Sequence, residues 1–399
     1  MTSAALTSNL LKLQVLHLKR LAITNFKNIA DARLRFSPKI NCFLGNNGMG
    51  KSNLLDAVHY LSFCKSFTGL ADAALVKRGE EFLTMRGEYD RKGVDEELQV
   101  GLLPGKRKSF KRGGKEYDRL SAHIGAFPLV LVAPADQELV SGTGEERRRF
   151  MDQVISQTDP LYLDHLIRYG RALQQRNKLL RDHAVDPSLY LAIEMAMERS
   201  AAYITRARQK WVERLTGIFG RYYERIAADG EIPSISLKSH LSENPDGLMA
   251  LLDSTRRHDE IVGHTSVGPH RDDIDLWLNG MPVRRAASQG QCKTYTIALR
   301  LAQYDFMREA ARMKPLLLLD DIFDKLDATR VERLVEIVSE DIFGQIFITD
   351  TNRDHLDHIM SRSANDHRSW MVEDGTFTLM ASSAGEPDAD DPPQQQPTA

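Results

Sequence analysis

The sequence predicts an α/β fold divided by a helical insertion. Three observations carry this. Short apolar runs alternate with turns and one helical stretch over the first 140 residues. From Glu145 to about Ala228 there is almost no β-run. The last quarter then returns to helix and strand in alternation.

Taken in order, the chain alternates from Val15, with Leu16, Leu18, Leu21 and Ile23 apolar and His17, Lys19 and Thr24 between them. That is strand spacing. Ala32–Phe36 alternates again, and Ser37-Pro38 makes a turn. Lys39–Leu44 is a short apolar strand running into a glycine-rich loop. Lys51–Phe63 follows, with Leu54, Leu55, Val58 and Leu61 at helical spacing. Further strands are expected at Phe82–Tyr89, Glu97–Leu102 and Leu129–Val132. Helices are expected at Glu145–Ser156, Tyr162–His183 and Pro187–Ile226, whose apolar stripe reads as the core of a helical subdomain. Strands return at Ile232–Leu237 and Ile274–Leu278. The last quarter reads helix Gln291–Met313, strand Leu316–Leu319, helix Ala328–Ile337, and strands Gln345–Thr349, Ser369–Glu373 and Thr376–Met380. The expected division is an N-terminal extension over 1–14, a head in two parts over 15–140 and 261–381, a helical arm over 141–260, and a disordered acidic tail over 382–399.

Composition narrows the classes. The 399 residues are 42% hydrophobic and 27% charged, ample for a sizeable core. Lys+Arg 53 against Asp+Glu 55 leaves −2, which excludes a polycation. No apolar run approaches the roughly 18 residues of a membrane helix. Residues 1–16 lack the basic start and apolar core of a signal peptide. Cys42, Cys64 and Cys292 are odd in number and far apart, so a cytoplasmic location is expected.

Gly45-Asn46-Asn47-Gly48-Met49-Gly50-Lys51-Ser52 fits GxxxxGK[ST] at every fixed position, with a strand before it and a helix after. Backbone N–H groups of such a loop cradle phosphates, and glycines permit the close approach. Lys51 is expected to reach the β- and γ-phosphates of ATP, and the Ser52 hydroxyl to bind Mg²⁺. Leu316–Leu319 followed by Asp320-Asp321 reads as a buried parallel strand ending in two carboxylates. Asp320 is expected to hold Mg²⁺ through water, and Asp321 to orient or deprotonate the attacking water. Ser288-Gln289-Gly290 opens the next-to-last long helix; by itself it is an N-cap.

The order of phosphate loop, long insertion, Ser-x-Gly helix, acidic strand and Asp324-Lys325-Leu326-Asp327 is that of ABC-type ATPases. The chain resembles the RecF family over about residues 16–380. The resembling segments are Leu21–Asn28, Gly45–Ser52, Ala133–Asp136, Gly144-Glu145-Glu146-Arg147-Arg148-Arg149-Phe150-Met151-Asp152, Ser266-Val267-Gly268-Pro269-His270-Arg271-Asp272-Asp273, Ser288–Gln291 and Leu318–Asp321. The resemblance implies an ABC-type head like those of Rad50 and SMC proteins with an inserted helical arm. It implies an ATP-dependent homodimer in which Ser288 acts in trans, slow ATP hydrolysis, and binding to single-stranded DNA, gaps or single-strand/double-strand junctions. It implies a role in recombinase loading with RecO and RecR. Departures are Lys27 where Arg is usual, Thr68, Ala135 where Glu is usual, and Thr349-Asp350-Thr351 at the switch position.

Lys106, Arg107, Lys108, Lys111, Arg112 and Lys115 form the densest basic run, around Phe110. A hairpin there would neutralise DNA phosphates while Phe110 stacks on a base; a solvated turn is the equal alternative. Arg168, Arg171, Arg176, Lys178 and Arg181 give the arm a basic edge. His270 and Arg271 suit the nucleotide, a dimer interface or the packing of the head better than a metal. A transporter energy subunit would need the switch His, and a small-molecule kinase would not need Ser288-Gln289-Gly290. A DNA clamp that ATP binding closes remains a third reading.

Overall fold

Continuous apolar runs need burial on both faces, and alternating runs need it on one. Both kinds occur. In chain order the strands are β1 Leu16–Phe26, β2 Ile29–Arg35, β3 Ile40–Leu44, β4 Leu83–Arg91, β5 Val94–Leu102, β6 Ser109–Arg112, β7 Lys115–Glu116, β8 Leu129–Val132, β9 Pro233–Lys238, β10 Asp273–Leu278, β11 Met281–Pro282, β12 Leu316–Asp320, β13 Ile346–Asp350, β14 His367–Glu373 and β15 Thr376–Ser382. The longer helices among the described residues are α1 Lys51–Phe63, α2 Gly144–Thr158, α3 Pro160–Arg181, α4 Pro187–Ile226, α5 Gly247–Val262, α6 Gln289–Ala311, α7 Ala328–Val338 and α8 Arg353–Arg362. The computed structural model describes residues 14–184, 186–227, 230–244, 246–324, 326–362 and 366–383. Lys325, the tail from residue 384 and all but the last residue of the expected N-terminal extension lie outside them. Among the described residues no helix is long and apolar enough to cross a membrane.

Two compact units result, residues 1–134 with 307–399, and residues 135–306. The first holds two six-stranded sheets. One is antiparallel in the order β2-β1-β4-β5-β6-β7; the other runs β15-β14-β3-β13-β12-β8 and is parallel except for β15. Strands β3, β12 and β13 are buried at every residue, as their largely apolar sequences require, and they carry Asn41, Asp320, Thr349 and Asp350 into the buried layer with them. Helix α1 packs against strands of both sheets, which is why eleven of its thirteen residues are buried, Asp56 and His59 included. Gln345 joins the sheets: its side chain accepts from Leu18 N at 2.7 Å and donates to Leu18 O and Ser37 O at 2.8 Å each. These bonds sit where the β1–β4 register shifts between Leu18 and Arg20, so a bulged backbone is satisfied by a buried amide.

The second unit pairs α3 with the 40-residue α4, joined by α2, α5 and the small antiparallel sheet β11-β10-β9. It is thus wider than the 141–260 arm expected from sequence. Two buried arginines organise it. Arg176 donates to Glu194 at 2.9 Å and to Asp259 and Thr265 at 2.8 Å. Arg208 donates to Asp152, Asp272, Pro269 O and Tyr162 OH at 2.6–3.0 Å. Arg176 therefore does not belong to the basic edge expected on the arm. It shares the inward face of α3 with Tyr162, Tyr169, Ala172 and Leu180.

A buried pair that loses one partner leaves a bare charge. Arg176→Ala is therefore expected to cost about 3–5 kcal/mol. Arg168→Ala, which removes an exposed i,i+4 pair with Asp164, should cost at most about 1 kcal/mol. Urea unfolding followed by circular dichroism checks this; equal midpoints for the two variants would contradict the network's role.

Candidate nucleotide site

The phosphate loop is shaped from behind. The strand β3 ends at Leu44, and Gly45 follows where a Cβ would stand 2.4 Å from Val372 O. Gly50 has φ +112°, and a Cβ there would meet the Asn28 amide at 2.9 Å, so both positions demand glycine. The Met49 carbonyl is turned outward, accepting from Gly375 N at 2.7 Å and Asn28 Nδ2 at 3.2 Å. Asn53 Nδ2 donates in turn to Asn28 Oδ1 at 2.8 Å. The tip residues Asn46, Asn47 and Gly48 are exposed. Lys51 opens α1, buried, with Nζ donating to Gly45 O at 2.7 Å and Asn46 O at 3.1 Å.

The acidic strand lies beside it through sheet register. Thr349 on β13 pairs with Asp320 on β12, and Asp350 pairs with Leu44 on β3. Asp320 Oδ1 accepts from Ser52 Oγ at 2.8 Å and from Thr349 Oγ1 at 2.7 Å. Thr349 Oγ1 also accepts from Asp321 N at 3.1 Å. Asp321 takes φ +46°, a left-handed conformation uncommon outside glycine and tolerated by Asp. Burial pushes Asp320 above the ordinary carboxylate range; bonds from Thr349 and Ser52 and the charge of Lys51 oppose it. Burial likewise raises Asp321, Lys51 lowers it, and Asp320 and Asp350 raise it further. The sequence-predicted Lys51, Ser52, Asp320 and Asp321 are therefore brought together.

Thr349 and Asn28 were not foreseen in these roles. Nor was the environment of Asp350, whose carboxylate accepts from Asn352 N at 2.9 Å and lies 2.8 Å from His355 Nδ1. The sequence signals for Thr349 are its place at the end of an apolar strand and at the switch position; neither announces a donor to Asp320. Ser288 is exposed and caps α6, its hydroxyl accepting from Gln291 N at 3.2 Å while Ser288 N donates to Gln291 Oε1 at 2.7 Å.

The curated "DNA replication and repair protein RecF" of Parabacteroides distasonis is 48% identical over 363 residues, 91% of this chain and 99% of that one. The chain belongs to the RecF family. The RecF protein of Porphyromonas gingivalis is 46% identical, over 90% of this chain and 98% of its own. A family model, RecF/RecN/SMC N terminal domain, matches residues 17–88. A solved structure of the recombination mediator protein RecF-ATPrS in RecFOR pathway has a TM-score of 0.83 at 28% identity, covering 93% of this chain and all of that one. An Smc head domain from Pyrococcus furiosus has a TM-score of 0.55 at 16% identity, over 92% and 96%; that likeness is one of fold. The RecF fold is accordingly the ABC-type head with its helical arm.

Two of the segments that carry the RecF resemblance, Gly144–Asp152 and Ser266–Asp273, bind one another within the second unit. Arg147 donates to both Asp273 oxygens at 2.7 and 2.9 Å, and Arg148 donates to Asp272 O at 2.8 Å. Asp152 and Asp272 share Arg208. His270, pushed down to about 4 by burial, lies 2.7 Å from Tyr169 OH and 3.0 Å from Thr265 O. Asp136 pairs with Arg300.

The basic hairpin is corrected in part. Gly113 and Gly114 have φ +53° and +77°, as a tight two-residue β-turn requires. Phe110 is only 1% exposed and packs on Tyr117 and His123, because on β6 it points to the core side. It cannot stack on a base. Lys108 is tied to Asp72 at 2.9 Å and Arg112 to Glu96 at 2.5 Å. Lys106, Arg107 and Lys115 are exposed, and Lys111 is partly so.

The raised Asp320 gives a signed pH dependence. A folded-state value above the unfolded one means that the ionised carboxylate costs stability above the folded value, and the cost declines as pH falls below that value and is gone below the unfolded one. Asp320→Asn keeps an acceptor for Ser52 and Thr349 without the charge. It should melt no lower than the parent at neutral pH, with the gap closing towards acid pH. Thermal melts of the nucleotide-free proteins test this; a gap that widens on acidification would refute it.

Proposed function

We propose that the chain is an ATP-dependent DNA-binding protein of recombinational repair and replication. It binds ATP, closes as a homodimer on single-stranded DNA, gaps or junctions, and helps load recombinase with RecO- and RecR-type partners. ATP hydrolysis is slow and serves as the switch, and the protein works in the cytoplasm. The observation that carries this is the juxtaposition of the phosphate loop with Asp320 and Asp321. Solved RecF structures described as RecF-ATP and RecF-ATPrS support the nucleotide.

The chain's own residues divide the work. Backbone N–H groups of Gly45–Ser52 and the start of α1 receive the phosphates. Lys51 exchanges its carbonyl partners for β- and γ-phosphate oxygens. Ser52 and Asp320 are hard oxygen donors suited to Mg²⁺, which keeps most of its waters. Bound there, Mg²⁺ supplies charge neutralisation on the phosphate oxygens. Asp321, held by its backbone to Thr349 and with its proton affinity raised by burial, orients and deprotonates the attacking water. The exposed Ser288 of one copy completes the site of the other, donating to the γ-phosphate.

Two outcomes test this reading. Asp321→Asn should bind ATP normally and hydrolyse it about 10²–10⁴-fold more slowly, whereas Lys51→Ala should lose ATP affinity by calorimetry. Unchanged turnover in Asp321→Asn would assign the base elsewhere. Ser288→Arg should bind ATP yet neither dimerise nor hydrolyse it. Mixed with Lys51→Ala, it should regain activity, since each heterodimer keeps one intact composite site. Full activity of Ser288→Arg alone would reduce Ser288 to a helix cap.

A further inference from the structure

Helix α3 has two unlike faces. Tyr162, Tyr169, Ala172, Arg176 and Leu180 are buried. On the opposite side Arg168, Arg171, Gln174, Gln175, Lys178 and Arg181 are exposed. At 3.6 residues per turn, Arg171 and Lys178 fall nearly in line, with Arg168 and Arg181 to either side. Two acidic residues share this face: Asp164 is matched to Arg168 at 2.8 Å, and Asp182 is the helix C-cap. Among the described residues, Arg171, Lys178 and Arg181 enter no ion pair.

We propose that this face of α3 is a docking ridge for the sugar-phosphate backbone of duplex DNA. The inference rests on the DNA-binding function above and gives it a surface. Charge complementarity selects the occupant. From Arg168 to Arg181 the ridge runs about 20 Å, the length of about six phosphates of one strand. Its exposed side chains are long donors, as backbone contacts require, and such contacts carry no sequence preference. It bears no exposed aromatic ring, so it offers unpaired bases no stacking platform. The 106–115 hairpin is the weaker claimant, because Lys108 and Arg112 are held by Asp72 and Glu96 and Phe110 is in the core.

The test uses the full-length chain carrying Arg171→Gln, Lys178→Gln and Arg181→Gln together. A matched variant carries Lys106→Gln, Arg107→Gln and Lys115→Gln. Binding to a fluorescent blunt duplex is followed by anisotropy with ATP across about 50–200 mM salt. The ridge variant should bind more weakly, and its slope of log K against log salt should shrink by about 2.7, or about 0.9 for each of three lost contacts. Its ATP hydrolysis without DNA and its melting temperature should match the parent's. Arg171→Lys with Arg181→Lys should keep the parent slope, since charge is preserved. A parent-like slope and affinity in the ridge variant would overturn the proposal, as would a loss confined to the hairpin variant. So would weakened binding of polyglutamate with duplex binding intact, which would make the ridge a dock for acidic protein. Failure of the parent itself to bind duplex, gapped or single-stranded DNA in any nucleotide state would instead refute the DNA-binding reading.

Discussion

A carboxylate buried at the end of an all-apolar strand is unfavourable unless its oxygens are matched, and the first unit is built around matching Asp320. Four leucines carry β12 through the sheet, and Asp320 ends it at 5% exposure. Its two hydroxyl donors come from different elements, Ser52 from the start of α1 and Thr349 from β13. Both reach it only in one register: Asp320 opposite Thr349, and Asp350 opposite Leu44. A slip of one residue would turn Thr349 to the other face of the sheet and leave a buried charge short of a partner, at a cost of some 1–3 kcal/mol or more. Strand register and the geometry around the phosphate loop are thus one constraint, and neither can drift without the other.

The second unit solves a related problem with the opposite charge. Arg208 is fully enclosed and gathers groups from α2, α3 and the Pro269–Asp272 turn. Arg147 reaches Asp273, 126 residues further along the chain. Such pairs add little net stability over well-packed apolar residues. They are intolerant of misalignment, though, because each wrong pairing strands a charge. The Gly144–Asp152 and Ser266–Asp273 segments of this chain are thereby two halves of one ionic joint.

How far the sequence discloses this depends on whether a signal is local. Helix α1 and strands β8 and β12 are legible because apolar spacing and flanking turns lie within a few residues. Helix α4 is legible from end to end because Pro187 follows Asp186, whose side chain caps Ser188 N. Lys51, Ser52, Asp320 and Asp321 follow from motif and context. Helix α8 escapes notice because, among its described residues, only Leu356 and Ile359 are buried in the core, too few to set a period. Arg176 was legible after all: it keeps helical spacing with Tyr169, Ala172 and Leu180, and an arginine in that row belongs inside. Phe110 likewise alternates with its half-buried neighbours Ser109 and Lys111, so the strand's period of two argued for core over stacking. Thr349 and Asn28 lie in segments that the resemblance marks, yet their partners Asp320, Met49 and Asn53 are distant in sequence, so the particular bonds they make are not legible there.

The charges at the sheet's C-terminal edge carry one further consequence. Asp320 and Asp350 flank Asp321 there, and both raise its proton affinity. The Lys51 charge lowers the proton affinity of both Asp320 and Asp321, and its ammonium is held by two backbone carbonyls of its own loop. A polyphosphate entering this edge brings more negative charge to a place already rich in it. Backbone N–H groups and one lysine would offset part of that, and a divalent cation held by Ser52 and Asp320 would supply further positive charge. Asp350 is relieved differently, by Asn352 N and His355. Asp350 is thereby held in the frame at the end of β13.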